Sequence, residues 1–349
     1  MPKSFASDNN STVHPIIMQA IMEANKEHVL AYGDDKFTQE AKNIFKETFG
    51  ENTETFFVLT GTGANVCALQ AYTNRFEAVI APKAAHINVD ECGAVEHILG
   101  VKIITIETLD GKIQTESILK YLHQKGDQHH VQPKIISISQ PTELGTLYTL
   151  DELKEIVQFA HEHDLKVHID GARIANAAAA LDCSLKNLTT DLGIDVLSFG
   201  GTKNGLLMGE AVIFFHPDEQ INFKFIRKQN MQLLSKMRFV AAQFIPYLQK
   251  KIWHENAQRA NHFTQHLYRR LILKNPEIIA IHPQTNAIFT VLPKDKAMKM
   301  QKERFFYTWD EELDVYRFMT TFDMHQQDVE DFAKFILRHL KYDPAKGNK

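Results

Sequence analysis

Residues 195–205, DVLSFGGTKNG, contain the features that decide the fold of this chain. The segment starts as an apolar run of strand length and then breaks at Gly200 and Gly201, just before Thr202 and Lys203. A lysine in an apolar pocket is costly because burial disfavours its charged form. Its usual purpose in such a place is to serve as an amine nucleophile that forms a Schiff base. The alternative is that Lys203 is a solvated residue of an ordinary surface loop.

A second strand has the same kind of ending. Residues 165–173, LKVHIDGAR, place Asp170 and Arg173 at the end of an apolar run. An interval of helix length separates the two strands, as in a βαβ unit, so their ends are expected to be neighbours on a parallel sheet. A lysine and an aspartate at that edge suit pyridoxal phosphate (PLP): Lys203 binds the aldehyde, and Asp170 keeps a proton on the pyridine nitrogen, which makes the ring an electron sink. Alternatively, Asp170 caps a helix or pairs with a cation.

The first two thirds of the chain alternate between strand and helix patterns. Strands are predicted at residues 55–59, 78–81, 102–106, 134–139, 165–170, 195–199 and 211–215. Helices are predicted at residues 14–22, 38–49, 65–72, 115–123, 150–163 and 174–181. The links are short, so the pattern predicts an α/β large domain with a mainly parallel sheet covered by helices on both faces.

The pattern changes after Pro217. An almost continuous helical pattern over residues 222–273 is followed by short strands at 278–281, 287–292, 304–309 and 315–321, a helix at 326–340 and a tail, 343–349, expected to be loose. This predicts a smaller α+β domain. A chain of 349 residues exceeds the size of most single cores, and we place the two domains at 1–250 and 251–349.

Two further motifs lie where strands end. Thr60, Gly61, Thr62 and Gly63 join a strand to a helix, and the N–H groups and dipole of a helix start favour an anion. The turn lacks the lysine of a Walker A motif and does not match G-x-G-x-x-G, so one phosphate fits it better than a dinucleotide; a simple tight turn is the alternative. His86 follows the next strand, where it could stack on a planar cofactor or transfer protons.

Composition excludes several classes of partner. The net charge is −4 with no basic block, which argues against nucleic acid or an anionic membrane surface as a partner. The three cysteines are scattered without metal-ligand spacing, as expected for reduced thiols and no metal site. We find no signal peptide and no apolar run of about 18 residues. The cytoplasm is the expected location.

Taken in order, these motifs resemble those of the threonine aldolase family, within the fold type I PLP enzymes, over most of residues 5–325. The resemblance rests on Ser7-Asp8, Gly33-Asp34-Asp35, Gly61-Thr62, His86 through Glu91 and Gly93, Asp170 through Arg173, Thr202-Lys203 and Arg317. The sequence departs from the family pattern in two places: Lys36-Phe37-Thr38 follows the double aspartate where the family has a tyrosine-glycine pair, and Gln140 stands where a family histidine is expected.

The resemblance implies a role for each of these residues. The cofactor would be held by Gly61, Thr62, His86, Asp170, Arg173, Thr202 and Lys203. The substrate carboxylate would be held by Ser7, Arg173 and Arg317. His86 is the candidate base, with Glu91 as its orienter.

The implied reaction is the cleavage of threonine or allo-threonine to glycine and acetaldehyde, in a homodimer or homotetramer. The alternatives are another PLP-dependent amino-acid lyase that performs β-elimination, an aminotransferase, or a non-catalytic protein with the same fold.

Overall fold

A seven-stranded sheet forms the larger part of the computed structural model, which describes residues 3–216 and 222–340. Its strands are β1 (Glu54–Val58), β2 (Glu77–Pro82), β3 (Lys102–Ile106), β4 (Gln132–Ser139), β5 (Lys166–Gly171), β6 (Val196–Gly200) and β7 (Glu210–Phe214). Their order across the sheet is β1-β7-β6-β5-β4-β2-β3. All described pairs are parallel except those of β7, which runs antiparallel to β1 and β6. The prediction of a mainly parallel sheet is confirmed.

Helices cover both faces of this sheet. They are α1 (Pro15–Ala24), α2 (Lys36–Phe49), α3 (Gly61–Gln70), α4 (His86–Val89), α5 (Ala94–Leu99), α6 (Thr115–Leu122), α7 (Leu150–Glu162) and α8 (Ile174–Leu181). Successive strand residues point to opposite faces: Phe57 belongs to the core under α2 and α7, and Val58 to the core under α3 and α5. Two apolar cores therefore hold the strand ends in place.

A four-stranded antiparallel sheet and the remaining helices follow, and the first two of these helices pack in the cores of the large sheet. The elements are α9 (Phe223–Gln229), α10 (Arg238–Gln249), α11 (Ile252–Ile272), β8 (Ile279–Ile281), β9 (Ala287–Val291), α12 (Lys294–Glu303), β10 (Tyr307–Asp310), β11 (Val315–Met319) and α13 (Gln326–Leu340). The sheet order is β10-β11-β9-β8. This confirms the smaller α+β unit. Across the described chain, none of the helices combines the length and the apolar character needed to cross a bilayer.

The second half differs from the sequence prediction in detail. Met231 and Lys251 have φ values of 61° and 54°, and residues in this left-handed region interrupt what the sequence presents as one helical pattern. Helix α12 has no counterpart in the prediction; it is strongly charged and buries Ala297 and Met300. The predicted loose tail, 343–349, lies outside the described residues.

Helix α11 joins the two units. Ile252 near its start belongs to the core of the large sheet, whereas Leu267 belongs to the core of the small one. The N-terminal segment also reaches the small unit, because Phe5 stacks on Phe332 with ring centroids 3.9 Å apart. The domain boundary at 250/251 stays a prediction. The N-terminal segment and α11 hold the two sheets together around a cleft.

Candidate active site

A cleft of about 630 Å³ lies between the carboxyl ends of the parallel strands and the small sheet. Five residues singled out from the sequence line it: Ser7, His86, Arg173, Lys203 and Arg317. They come from distant parts of the chain. Their convergence at the strand ends is where an open α/β sheet places its ligands.

Glycine lets the two decisive strand ends approach each other. Asp170 on β5 is in register with Ser198 on β6. A Cβ atom on Gly200 would lie 2.5 Å from the backbone oxygen of Ala172, closer than real Cβ atoms come to other atoms. The backbone after Asp170 is therefore packed directly against the backbone that leads to Lys203.

Asp170 is buried and doubly hydrogen-bonded. Its Oδ2 accepts a hydrogen bond from Asn65 Nδ2 at 2.9 Å, and its Oδ1 accepts one from the N–H of Ala172 at 3.0 Å. Burial raises the pKa of Asp170, but the charge of Lys203 and these donors outweigh it, so the pKa lies below its usual value. An ionised carboxylate is the state that holds a proton on a ring nitrogen.

Beneath Asp170, on the same face of β5, lies the fully buried His168. Its Nδ1 is 2.9 Å from Ser137 Oγ and its Nε2 is 2.9 Å from Ser198 Oγ. Burial lowers the pKa of His168 well below its usual range, so the imidazole is neutral. A neutral ring does not compete with a ligand for the charge of Asp170.

His86 begins α4 and is paired with a buried carboxylate. Its Nδ1 is 2.9 Å from Oε1 of Glu91, whose side chain is inaccessible to solvent. The hydrogen bond to Glu91 raises the pKa of His86, and burial opposes it. The structure thus brings together the two residues predicted to act as base and orienter.

The loop that carries Lys203 is anchored by a carboxyl group. Glu210 on β7 is opposite Gly200, and its Oε2 accepts a hydrogen bond from the N–H of Gly201 at 3.0 Å. The Thr202 hydroxyl accepts a hydrogen bond from the N–H of Gly209 at 3.2 Å. Burial raises the pKa of Glu210 to about 7, even though Thr202, Lys203 and Gly201 each lower it.

The two arginines of the cleft have different surroundings. Arg173 pairs with buried Asp8, its Nε at 2.7 Å from Oδ2 and its Nη2 at 3.1 Å from Oδ1. The Arg317 guanidinium lies over Trp309 at 5.2 Å and over Tyr307 at 5.9 Å, and no acceptor for its buried Nε is found in residues 3–216 and 222–340. Arg317 is therefore the better placed of the two to bind an anion. Burial holds the pKa of Arg317 below its usual value.

Ser7 is a buried residue of the cleft lining. It precedes a short 3-10 turn, and its hydroxyl accepts a hydrogen bond from the N–H of Asn9 at 3.2 Å. The same turn carries Asp8, so the N-terminal segment contributes both to the cleft lining and to the hold on Arg173.

The predicted phosphate turn begins α3. Thr60 caps the helix by accepting a hydrogen bond from the N–H of Gly63 at 3.0 Å. Within the described ranges, the N–H groups of Gly61 and Thr62 make no intramolecular hydrogen bond. They remain available to an anion, although neither residue lines the cleft described above. Gln232 lies against the turn, its Oε1 accepting from the N–H of Leu59 at 3.0 Å.

These groups match the parts of a PLP molecule. Free N–H groups at a helix start suit its phosphate, the Asp170 carboxylate suits its pyridine nitrogen, and the Lys203 amine at the cleft wall suits its aldehyde. His86 is at the cleft wall, where it can lie against a planar ring.

Gln140 and Thr38, which belong to the two departures from the family pattern, make hydrogen bonds within the chain. Buried Gln140 donates from Nε2 to the backbone oxygen of Tyr148 at 2.8 Å and accepts from its N–H at 3.1 Å. Asp35 caps α2 by accepting from the N–H of Thr38 at 2.9 Å. Gln140 therefore holds a loop and does not line the cleft.

Comparison with known proteins agrees with this geometry. Residues 4–294 match the family described as beta-eliminating lyase. The chain is 39% identical to the low specificity L-threonine aldolase of Pseudomonas aeruginosa, over 96% of this chain and 97% of that protein. The chain belongs to the threonine aldolase family. A similar relative in a Pseudomonas species is 38% identical over the same shares of the two chains.

Solved structures show the same fold. Leishmania major threonine aldolase superposes with a TM-score of 0.91 at 28% identity, covering 97% of this chain and 99% of that chain. Serine palmitoyltransferase of Sphingomonas wittichii, at 13% identity and a TM-score of 0.74, shares the fold and covers 97% of this chain and 87% of that one. The fold class predicted from the sequence is confirmed.

Sequence reasoning missed three polar residues behind the cleft: Asn65, His168 and Glu210. Asn65 follows Gly61 by four residues, so helical spacing places it on the same side of α3 as the phosphate turn. His168 precedes Asp170 by two residues and therefore shares its face of the strand. For Glu210 the sequence holds no such signal, because its link to the Lys203 loop depends on the pairing of β7 with β6.

Proposed function

We propose that this protein cleaves β-hydroxy-α-amino acids, threonine or allo-threonine, to glycine and acetaldehyde with PLP as cofactor. The observation that carries the proposal is the meeting at one cleft of Lys203, the Asp170 segment and Arg317, whose buried Nε has no acceptor within the described part of the chain. The threonine aldolases to which the chain is similar support the choice of reaction.

The proposed cofactor contacts follow from the groups described above. Gly61 and Thr62 would bind the phosphate, His86 would lie against the ring, and Asp170 would hold the proton of the pyridine nitrogen. Lys203 would bind the aldehyde, with Thr202 supporting its loop and Arg173 bordering the ring. When bound, the cofactor supplies an electron sink for the pair released at the substrate Cα.

Three side chains of the cleft lining would orient the substrate: Arg317, Arg173 and Ser7. Arg317 would bind the carboxylate through its guanidinium, which lies over the rings of Trp309 and Tyr307. Arg173 offers the N–H groups that Asp8 does not use, and Ser7 offers its hydroxyl proton. Fixing the carboxylate sets which bond to Cα breaks.

Proton transfer is assigned to His86. The imidazole, directly or through water, would take the proton of the β-hydroxyl as the Cα–Cβ bond breaks to release the aldehyde. Glu91 orients the ring and raises the pKa of His86, which makes the neutral imidazole a stronger base.

Product analysis tests the reaction. Purified protein with PLP and either threonine diastereomer should release equal amounts of glycine and acetaldehyde without a keto-acid acceptor. A β-eliminating lyase would release ammonia and a keto acid instead, an aminotransferase would need the acceptor, and a non-catalytic protein would release nothing. Lys203→Ala should remove both the turnover and the visible absorbance of bound cofactor; a variant that kept both would refute the assignment.

We also propose that the protein works as a homodimer or homotetramer in the cytoplasm. Leu30, Tyr32 and Met231 are exposed apolar side chains, and a hydrogen bond from the N–H of Tyr32 to the oxygen of Ser235 at 2.9 Å places the segments that carry them side by side. Patches of exposed apolar side chains commonly mark subunit contacts. The chain's three cysteines are unpaired, which fits a reducing compartment. Light scattering tests the oligomer: a monomer at micromolar concentration would refute it.

A further inference from the structure

Asn65 lies between the two buried carboxylates of the site. Its Nδ2 donates one hydrogen bond to Glu91 Oε1 at 2.8 Å and another to Asp170 Oδ2 at 2.9 Å. All three side chains are buried, Asn65 itself being 2% exposed. An amide nitrogen has two N–H donors, so this side chain uses both of them on acids.

The orientation of this amide follows from charge. Exchanging its oxygen and nitrogen would place Asn65 Oδ1 against two carboxylate oxygens. In the present orientation Oδ1 is buried and has no partner among the described residues, which is a cost for any polar group. In this orientation Oδ1 accepts no hydrogen bond from the described residues, whereas both N–H groups donate to carboxylates. Packing alone does not require that choice.

The position of Asn65 connects the parts of the proposed cofactor site. It lies one helical turn after Gly61, on α3. From there it reaches Asp170 on one side and Glu91, the partner of His86, on the other. One unbroken series of hydrogen bonds therefore runs from the imidazole to the carboxylate expected at the pyridine nitrogen.

We propose that Asn65 is a positioning residue, which keeps Asp170 directed at the pyridine nitrogen and Glu91 directed at His86. The inference rests on the proposed function, since it assigns Asn65 a part in that cofactor site. Without the amide, each carboxylate loses a charge-assisted donor and the two charges face each other across the vacated space. The weakened hold on the cofactor is the measurable consequence.

The first test compares two buried asparagines. Asn65→Ala removes the link, whereas Asn176→Ala removes an amide that donates to Asn261 Oδ1 at 3.1 Å between α8 and α11, away from the cleft. The PLP dissociation constant of each apo-protein is measured by absorbance titration, together with its unfolding by urea. Asn65→Ala should raise the dissociation constant about tenfold or more, as expected for lost hydrogen bonds to charged groups. Asn176→Ala should lower stability and leave the dissociation constant unchanged.

The second test separates positioning from packing. If Asn65 keeps two charges apart, removing one charge should reduce the effect of losing the amide. Asn65→Ala raises the PLP dissociation constant by some factor in the wild-type background. In a Glu91→Gln background this factor should be smaller by about threefold or more, as for residues in contact. Asn65→Asp preserves size, so it should fold, but it adds a third carboxylate; its PLP affinity should fall below that of Asn65→Ala.

The outcomes separate this inference from the proposed function. A wild-type protein that neither binds PLP nor cleaves threonine would overturn both. A wild-type protein that does both, beside an Asn65→Ala variant with an unchanged dissociation constant, would overturn the role of Asn65 alone. The same holds if the loss of affinity is equal in the wild-type and Glu91→Gln backgrounds.

Discussion

The buried carboxyl of Glu210 should make the stability of the apo-protein fall as the pH rises from about 4.5 to about 7. In the folded chain burial raises the pKa of Glu210 from 4.5 to about 7. Between these values the folded state holds one proton more than the unfolded state, so folding becomes less favourable as the pH increases. Each pKa difference of 1 corresponds to about 1.4 kcal/mol, which gives a total of about 3 kcal/mol. The cost is fully present above pH 7 and absent below about pH 4.5.

Glu210→Gln removes this titration and can keep the hydrogen bond from the N–H of Gly201, because the amide oxygen accepts it. The charged groups facing Glu210 are Lys203, which lowers its pKa, and Asp170, which raises it. The apo-protein is the right sample, since a cofactor on Lys203 would change the charge of that amine. Urea unfolding at fixed protein concentration between pH 4.5 and 8 measures the free energy of unfolding of each protein.

The difference in unfolding free energy, variant minus wild type, should grow by about 3 kcal/mol across this range. Glu47→Gln, which changes an exposed side chain of α2, controls for the loss of one carboxylate. Two parallel pH profiles for wild type and Glu210→Gln would refute the reasoning. So would a difference that shrinks as the pH rises.

Four further substitutions have definite expected effects. Arg317→Lys should raise KM for threonine about tenfold or more, because the planar guanidinium with its two parallel donors is lost. The absorbance of bound PLP should stay unchanged. Steady-state kinetics and absorbance titration measure the two quantities, and an unchanged KM would contradict the prediction. Asp8→Ala should lower the free energy of unfolding by about 1–3 kcal/mol, since Arg173 at the cleft wall loses two charge-assisted hydrogen bonds; an unchanged free energy of urea unfolding would contradict this. Gly200→Ala should cost at least about 1–3 kcal/mol through the clash with the Ala172 backbone, whereas Gly61→Ala, which has open space around its Cβ, should unfold at nearly the wild-type urea concentration. Equal unfolding midpoints for these two glycine variants would contradict the close approach of the strands.

Local sequence patterns were sufficient for most strands and for the cleft residues near strand ends. Apolar runs that end in glycine predict where strands stop, and parallel strands bring their ends to one edge. The direction of β7 was not predicted. Only nine residues connect β6 to β7, which is too few for the crossover that a parallel partner requires. The length of this connection therefore predicts that β7 is antiparallel to β6.

Some contacts between distant segments could not be predicted from the sequence. Arg173 was predicted to bind cofactor and substrate. Its pairing with Asp8, 165 positions earlier, was not predicted, because no residue near Arg173 in the sequence indicates it. Helix α12 was missed because its surface charges hide the two apolar residues that it buries. Both features depend on how the small sheet and the N-terminal segment pack onto the large sheet, which is a tertiary property.

The most direct test of the whole account is to locate the cofactor's covalent attachment. The protein loaded with PLP is reduced with borohydride, digested and mapped by mass spectrometry. The predicted result is a pyridoxyl group on the peptide that contains Lys203, lost in Lys203→Ala and kept in a variant of another lysine of the cleft lining, Lys83→Ala. Attachment to a different lysine, or none, would contradict the claim that Lys203 and Asp170 hold one ring between them.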